Sequence, residues 1–391
     1  MHAASTATSR LTPEDELHWL ALRLIPGLGT RRVVQLMDRF ASPQVLFRTP
    51  VSDLEAAGVP PGPARSIASG CTFDDAVDQQ NKMRARGAVL VTYHDPLYPE
   101  ALQEILDPPL TLFVRGDLAL LSHPAIAVVG TRKPTPYGMA VAEKLGGDLA
   151  AAGLNIISGM ARGIDTAAHK AALAVGGKTT AVFGCGVDMV YPSENRRLHE
   201  EICTKGLAIS EFPMGAPAYP QNFPIRNRIV SGMSCGVLVV EGAQYSGSAI
   251  TARLAMDQGR EVYAVPGNIT SQASWGPNLL IRQGAKLVST AQDIVNELAP
   301  EVRRRIQKEG GASNECGSAA GPKQGTLPLG PNSVLGDLLL AKMTVDAPTH
   351  IDDLLGCLEN YSSSEIVAVL FELELLGLVR QLPGKQFVKA W

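Results

Sequence analysis

Arginine and glycine recur together along this chain, each time at the end of a short apolar run. The first such place is Gly130-Thr131-Arg132-Lys133. The second is Gly159-Met160-Ala161-Arg162-Gly163-Ile164-Asp165, followed on the same segment by His169 and Lys170. The third runs from Gly184-Cys185-Gly186 to Tyr191-Pro192-Ser193-Glu194-Asn195-Arg196-Arg197. Next come Asn222-Phe223-Pro224-Ile225-Arg226-Asn227-Arg228 and then Glu241-Gly242, leading to Ser246-Gly247-Ser248 and Arg253. Glycine lets backbone approach a ligand, and a helix N-terminus offers unpaired N–H donors. Beside arginine, each such loop is an anion site. One phosphate needs one site, so a series of them suits a polyanion better than a mononucleotide. The same loops hold Tyr191, Phe212, Tyr219, Phe223, Tyr245 and Trp275. A basic groove with aromatic platforms is how single-stranded nucleic acid is commonly held, although core packing explains any one of these rings equally well.

Other constellations do not complete a motif. Gly177-Lys178-Thr179 ends like a phosphate-binding P-loop, but Ala172 stands where its first glycine belongs, and the triplet precedes a strand pattern where a P-loop follows one. Gly184-Cys185-Gly186 begins like a dinucleotide fingerprint, but its third glycine would fall at Met189. No nucleotide cofactor is expected. Asp165 and His169 are four apart on one helix face and can pair, a contact that would steady the loop. Ser158 is not in a G-x-S-x-G elbow. Cys185 reads as a small buried hydrophobe. Glu241 has no activating partner that the sequence can name. No catalytic residue, metal site or cofactor is assigned.

The loops need a scaffold. AIAVVG, NIISG, TTAVFG, LAISEFP, VLVVEG, EVYAVPG and KLVS are apolar throughout, with helical patterns of about a dozen residues between most of them. Such alternation predicts an α/β fold with a parallel sheet covered on both faces, whose ligands bind at the carboxyl ends of the strands. At 391 residues, 45% hydrophobic, the chain is long enough for two or three domains. A formal net charge of −3 rules out a bulk polycation, so any affinity for nucleic acid rests on local charge. The six cysteines are scattered with no CxxC spacing, against a zinc site or disulfide framework. No leader or long apolar span is present, which predicts a cytoplasmic protein that does not meet a membrane.

Along the chain, residues 1–10 are small and polar and read as disordered. Thr12-Pro13-Glu14-Asp15 is a helix start, with a capping Thr, Pro at N1 and an acid at N3. Helix, Ile25-Pro26-Gly27-Leu28-Gly29, helix is the outline of a helix-hairpin-helix, and a weaker unit runs from Val51 to Ser69. Residues 1–70 are therefore either a packing module or a DNA contact. Residues 71–299 are assigned to the α/β domain, with strands at 88–93 and 110–114 and a helix from 98 to 106 attached to it. Residues 300–332 read as a linker. Residues 333–391 show helix, helix and a hairpin across Pro383-Gly384, the outline of a winged helix.

The phrases DPLYPEAL, VVGTRKPTPYG, SGMARGIDTAAHKAAL, AVFGCGVDMVYPSEN, NFPIRNRIVSGMS and LVVEGAQYSGSAITARLAMDQGREVYAVPG resemble the DprA/Smf family of DNA-processing proteins. The match covers roughly Asp95 to Val288. The resemblance implies an extended Rossmann-like domain with an N-terminal helical (helix-hairpin-helix or SAM-like) module and a C-terminal winged-helix-like module. It implies binding of single-stranded DNA without strong sequence preference, protection of that DNA, loading of the recombinase RecA during natural transformation, a homodimer and no catalysed reaction. Carried onto this chain, the DNA contacts are Arg132, Lys170, Arg196 and Arg197, with Arg226 and Arg228 added, and the backbone of Gly130, Thr131 and Gly159 holds phosphate. Arg162 is expected to pair with Asp165. The chain departs from the pattern at Gly242 and Ala249. The equivalent of a recognition helix, 362–376, carries Glu365, Glu372 and Glu374 and no Lys or Arg, which suits protein better than duplex contact. The rival reading is a nucleotide phosphoribohydrolase on a related sheet, whose PGGxGTxxE signature this chain lacks.

Overall fold

The computed structural model describes residues 11–244, 246–312, 333–343, 349–358, 361–375, 378–382 and 386–389. The tail 1–10, Tyr245, the linker from 313, the helix end at Leu376-Gly377 and the Pro383-Gly384 turn lie outside the described residues. The described residues up to 312 form one compact unit and those from 333 a second.

The first unit opens with six helices: α1 Pro13–Arg23, α2 Thr30–Phe40, α3 Pro43–Phe47, α4 Val51–Ala56, α5 Pro61–Ser69 and α6 Phe73–Arg86. The start of α1 is the expected capping box, with Thr12 Oγ1 accepting from Asp15 N at 3.1 Å and the Asp15 carboxylate accepting in return. Helix α6 lies between the expected unit at 51–69 and the expected strand at 88–93, where the sequence predicts no element. It runs against α1, and Met83 joins Trp19 and Leu20 in a core that also holds Phe113 and Phe183 of the sheet. The helical module is thus seated on one face of the sheet.

The sheet follows in chain order: β1 Val89–Thr92, α7 Glu100–Gln103, β2 Thr111–Gly116, β3 Ala125–Val129, α8 Pro136–Ala151, β4 Asn155–Ser158, α9 Ile164–Ala174, β5 Thr179–Phe183, α10 Arg196–Lys205, β6 Leu207–Ser210, α11 Asn222–Gly232, β7 Gly236–Val239, α12 Gly247–Asp257, β8 Glu261–Ala264, α13 Trp275–Arg282, β9 Lys286–Leu287, α14 Ala291–Glu297 and α15 Pro300–Ala312. Among the described residues the strand order is β1-β2-β6-β5-β4-β3-β7-β8-β9. From β6 to β9 all neighbours are parallel. The β1–β2 hairpin joins antiparallel at the β6 edge. Both faces of β3 are buried: Ala125, Ala127 and Val129 face one core, and Ile126 and Val128 the other. That is why its sequence does not alternate.

Residues 300–312, expected as the start of a linker, are helical. Pro at the first position opens α15, and Val302 and Ile306, one turn apart, lay an apolar stripe on the core beneath α8. The helix expected over 98–106 shrinks to the single turn of α7.

The second unit holds α16 Ser333–Lys342, β10 Thr349–His350, α17 Ile351–Cys357, α18 Ser363–Leu375, β11 Val379–Leu382 and β12 Gln386–Lys389, with strand order β10-β12-β11. Leu339, Ile366, Val369, Leu370, Leu373 and Phe387 form its core. Two of the acidic residues of α18 have local duties. Glu365 accepts from Ser362 N at 2.8 Å as a capping box, and Glu374 accepts from Gln381 N at 3.3 Å.

Candidate nucleic-acid interface

The chain runs from β3 outward through β4, β5 and β6, then crosses back to place β7 on the other side of β3. The loops therefore part at the carboxyl ends of β3 and β7, the position where open α/β sheets bind ligands. A cleft of about 630 Å3 lies there. Gly130, Thr131, Arg132 and Lys133 from the β3 loop line it, with Gly159 and Ala161 from the β4 loop, Phe223 and Arg226 from α11, and Ser246 to Ser248 at the start of α12.

Close packing shapes the β3 loop. A Cβ on Gly130 would sit 2.5 Å from Ile164 Cγ1, so glycine is required there. Thr131 N donates to Glu241 O at 2.8 Å, which ties the loop to the exit of β7. Glu241 is itself 2% exposed, and its carboxylate accepts from Thr135 N at 2.9 Å and Thr135 Oγ1 at 2.5 Å. Thr135 in turn caps α8. Glu241 is thus a brace under the loop. Glu241→Ala is expected to lower unfolding stability by ~2 kcal/mol, since it takes the acceptor from both the hydroxyl and the N–H of the half-buried Thr135. Denaturant unfolding would show this, and an unchanged midpoint would remove the brace from the account.

Arg132 is exposed and projects over the Phe223 ring, 5.5 Å from guanidinium carbon to centroid. Tyr191, 40% exposed, lies beside Phe223 with centroids 5.3 Å apart. A cation, two aromatic faces and a glycine loop thus meet on one wall of the cleft.

Beneath them lies a buried polar cluster. Asp165 Oδ2 accepts from Gly159 N at 3.1 Å and Ala161 N at 3.3 Å. Burial pushes its carboxyl up, while the Arg226 charge and those N–H groups hold it down. Arg226 is 5% exposed and donates from Nη1 to Val182 O at 2.5 Å. A Cβ on Gly159 would lie 2.0 Å from Arg226 Nη1, so this glycine makes room for the guanidinium. Gly159 N–H, proposed from sequence as a phosphate donor, serves Asp165 here.

Two expected pairs are replaced. Arg162 pairs with Glu194 on the surface, because Asp165 points inward. His169 does not bond Asp165; its Nδ1 lies 2.6 Å from Thr179 Oγ1, and burial pushes its pKa down to about 3, so the ring is neutral. Cys185 is buried, as expected, and its thiol is pushed up to about 11 by desolvation.

Of the candidate DNA contacts, Gly130, Thr131, Arg132, Gly159 and Arg226 come together at the cleft. Lys170 on α9 and Arg196 and Arg197 at the start of α10 are exposed away from its lining. Arg228 is 13% exposed and engaged by Glu211 at 2.6 Å and Asp107 at 3.4 Å. Lys133, Asn227 and Thr251 also line the cleft and were not selected from sequence. Lys133 was readable as the second cation of its loop. Asn227 and Thr251 carry no signal apart from the fold. Among the described residues no cluster of His, Cys, Asp and Glu could hold a metal ion, and no helix is long and apolar enough to cross a membrane.

Residues 89–299, which build the sheet and the cleft, match the family model of DNA recombination-mediator protein A. The chain belongs to the DprA family. Residues 329–385 match the DprA winged helix domain. The DNA processing protein DprA of Streptococcus pneumoniae is 47% identical over 203 residues, covering 52% of this chain and 72% of that protein. Protein Smf of Synechocystis is 30% identical over 394 residues, covering 95% of this chain and 98% of its own length. The X-ray structure of the pneumococcal DprA superposes with a TM-score of 0.65 at 37% identity, covering 72% of this chain and 98% of that one. The DprA assignment agrees with the mostly parallel sheet and the small C-terminal unit described above.

Proposed function

We propose that the cleft binds single-stranded DNA and catalyses no reaction. The observation that carries this reading is the Arg132–Phe223–Tyr191 wall beside the Gly130-Thr131 loop. The cation and loop meet a phosphate, and the rings offer faces to unpaired bases. A duplex keeps its base faces stacked inside and cannot use them. Stacking accepts any base, so sequence preference is weak. Asp165, which lines the cleft, accepts from the backbone of Gly159 and Ala161, and Glu241 beneath the β3 loop accepts from Thr135, so both buried carboxylates serve the chain's own structure, which speaks against the hydrolase reading.

Membership of a recombination-mediator family supports a place in DNA processing during natural transformation, in the cytoplasm, where this protein would act as a homodimer, protect the strand and hand it to RecA. The direct test is a fluorescent oligonucleotide titrated in single-stranded and duplex form across a salt series, without ATP or metal. Preference for the single strand, with log K falling by about 0.7 per log unit of salt for each phosphate neutralised, is the expected result. Equal or absent binding would return the cleft to a mononucleotide reading.

A further inference from the structure

The segment 211–223 carries Phe223, and it is held on two sides. From the loop after β5, Asp188 Oδ1 accepts from Gly215 N at 2.8 Å, and Asn222 Nδ2 donates to Gly184 O at 3.0 Å. From the N-terminal helices, Gln79 of α6 grips Met214. Met214 N donates to Gln79 Oε1 at 2.7 Å, and Gln79 Nε2 donates to Met214 O at 3.3 Å. Gln79 is 8% exposed, so one amide satisfies both backbone groups of one residue away from water. Arg23 of α1 adds a bond to Glu211 O at 3.3 Å. A glutamine clamp of this kind acts like one rung of a sheet ladder and fixes the residue it holds in both directions.

We propose that Gln79 is a positioning residue of the cleft: through it the helical module fixes segment 211–223, and with it Phe223, one of the two rings on which bases stack. The module would then shape DNA binding without touching DNA. The inference rests on the single-strand reading above. Loss of the clamp weakens base stacking more than phosphate contact, because the Gly130-Thr131 loop and the Arg132 backbone hang from β3 and Glu241, and Arg132 meets this segment through its guanidinium on the Phe223 ring.

The test uses the full chain, a labelled twenty-residue oligothymidylate, and an abasic oligonucleotide of equal length. Gln79→Met keeps the volume and removes both bonds. It is expected to weaken oligothymidylate binding about three- to tenfold, with a clearly smaller loss on the abasic probe and the salt slope unchanged. Equal loss on both probes, or no loss on either, would overturn the proposal while leaving the single-strand reading intact. Failure of the unmodified chain to bind either probe would overturn both. Should Gln79→Met not fold, hydrogen exchange on the unmodified chain reads the same coupling. Oligothymidylate is expected to slow exchange across 211–223 and in α6 around Gln79; protection confined to the cleft loops with none in α6 sinks the clamp.

Discussion

Arg132→Ala is expected to weaken single-stranded DNA binding about thirtyfold, equivalent to the ~2 kcal/mol that a charge-assisted hydrogen bond contributes. Arg132 stands at the mouth of the cleft, exposed, with its guanidinium over the Phe223 ring. Removing it deletes one phosphate contact, so the salt slope should fall by about 0.7. The loss should be the same for every sequence, because no base edge is read. Arg132→Lys separates the two parts of the interaction. Lysine keeps the charge, and with it the slope, but lacks the flat delocalised face that sits on Phe223. Its affinity should fall between the parent and the alanine variant. Filter binding or fluorescence anisotropy at several salt concentrations measures both quantities. An alanine variant with unchanged affinity and slope would move the DNA path away from the β3 loop.

The strands were legible because burial on both faces leaves a continuous apolar run, as in β3, and because each run stops at a glycine or a turn. The direction of the β1–β2 hairpin was not legible: edge strands of either direction carry the same residues. Helix α6 escaped notice because its buried side includes Gln79 and Gln80 as well as Ala76 and Met83, so its stripe is half polar. Those glutamines are buried because they bond backbone of other segments, Met214 and Pro13, which only the fold brings near. The two key arginines show the limit most directly. Arg132 and Arg226 both follow strand ends in family phrases, yet one is exposed and the other buried. Helical spacing held a clue. Asn222, Arg226, Ile229 and Val230 share one face of α11, and all are buried. An arginine on a stripe with Ile and Val is placed inward. What the spacing could not say is that Asp165 waits there.

That placement sets the second large effect, which is on stability. Arg226→Met is expected to cost about 3–5 kcal/mol, the usual penalty for stranding one partner of a buried charge pair. Asp165 would keep its bonds from Gly159 and Ala161 but lose the positive charge that now opposes its desolvation. The pH dependence has a definite sign. Burial already pushes the Asp165 carboxyl up, and without Arg226 the folded-state value climbs further above the unfolded one. A raised carboxyl contributes stability below its unfolded value and loses it as pH rises through its folded value. The deficit of the variant against the parent should therefore grow from acid toward neutral pH and then level off. Asp165→Asn combined with Arg226→Met should be less damaged than Arg226→Met alone, because a neutral amide needs no counter-charge and its oxygen still accepts from the loop. Denaturant unfolding of the single and double variants across pH reads both signs. A deficit flat in pH, together with strict additivity, would mean that Arg226 works by filling space and bonding Val182 alone, and that the Asp165 charge needs no partner.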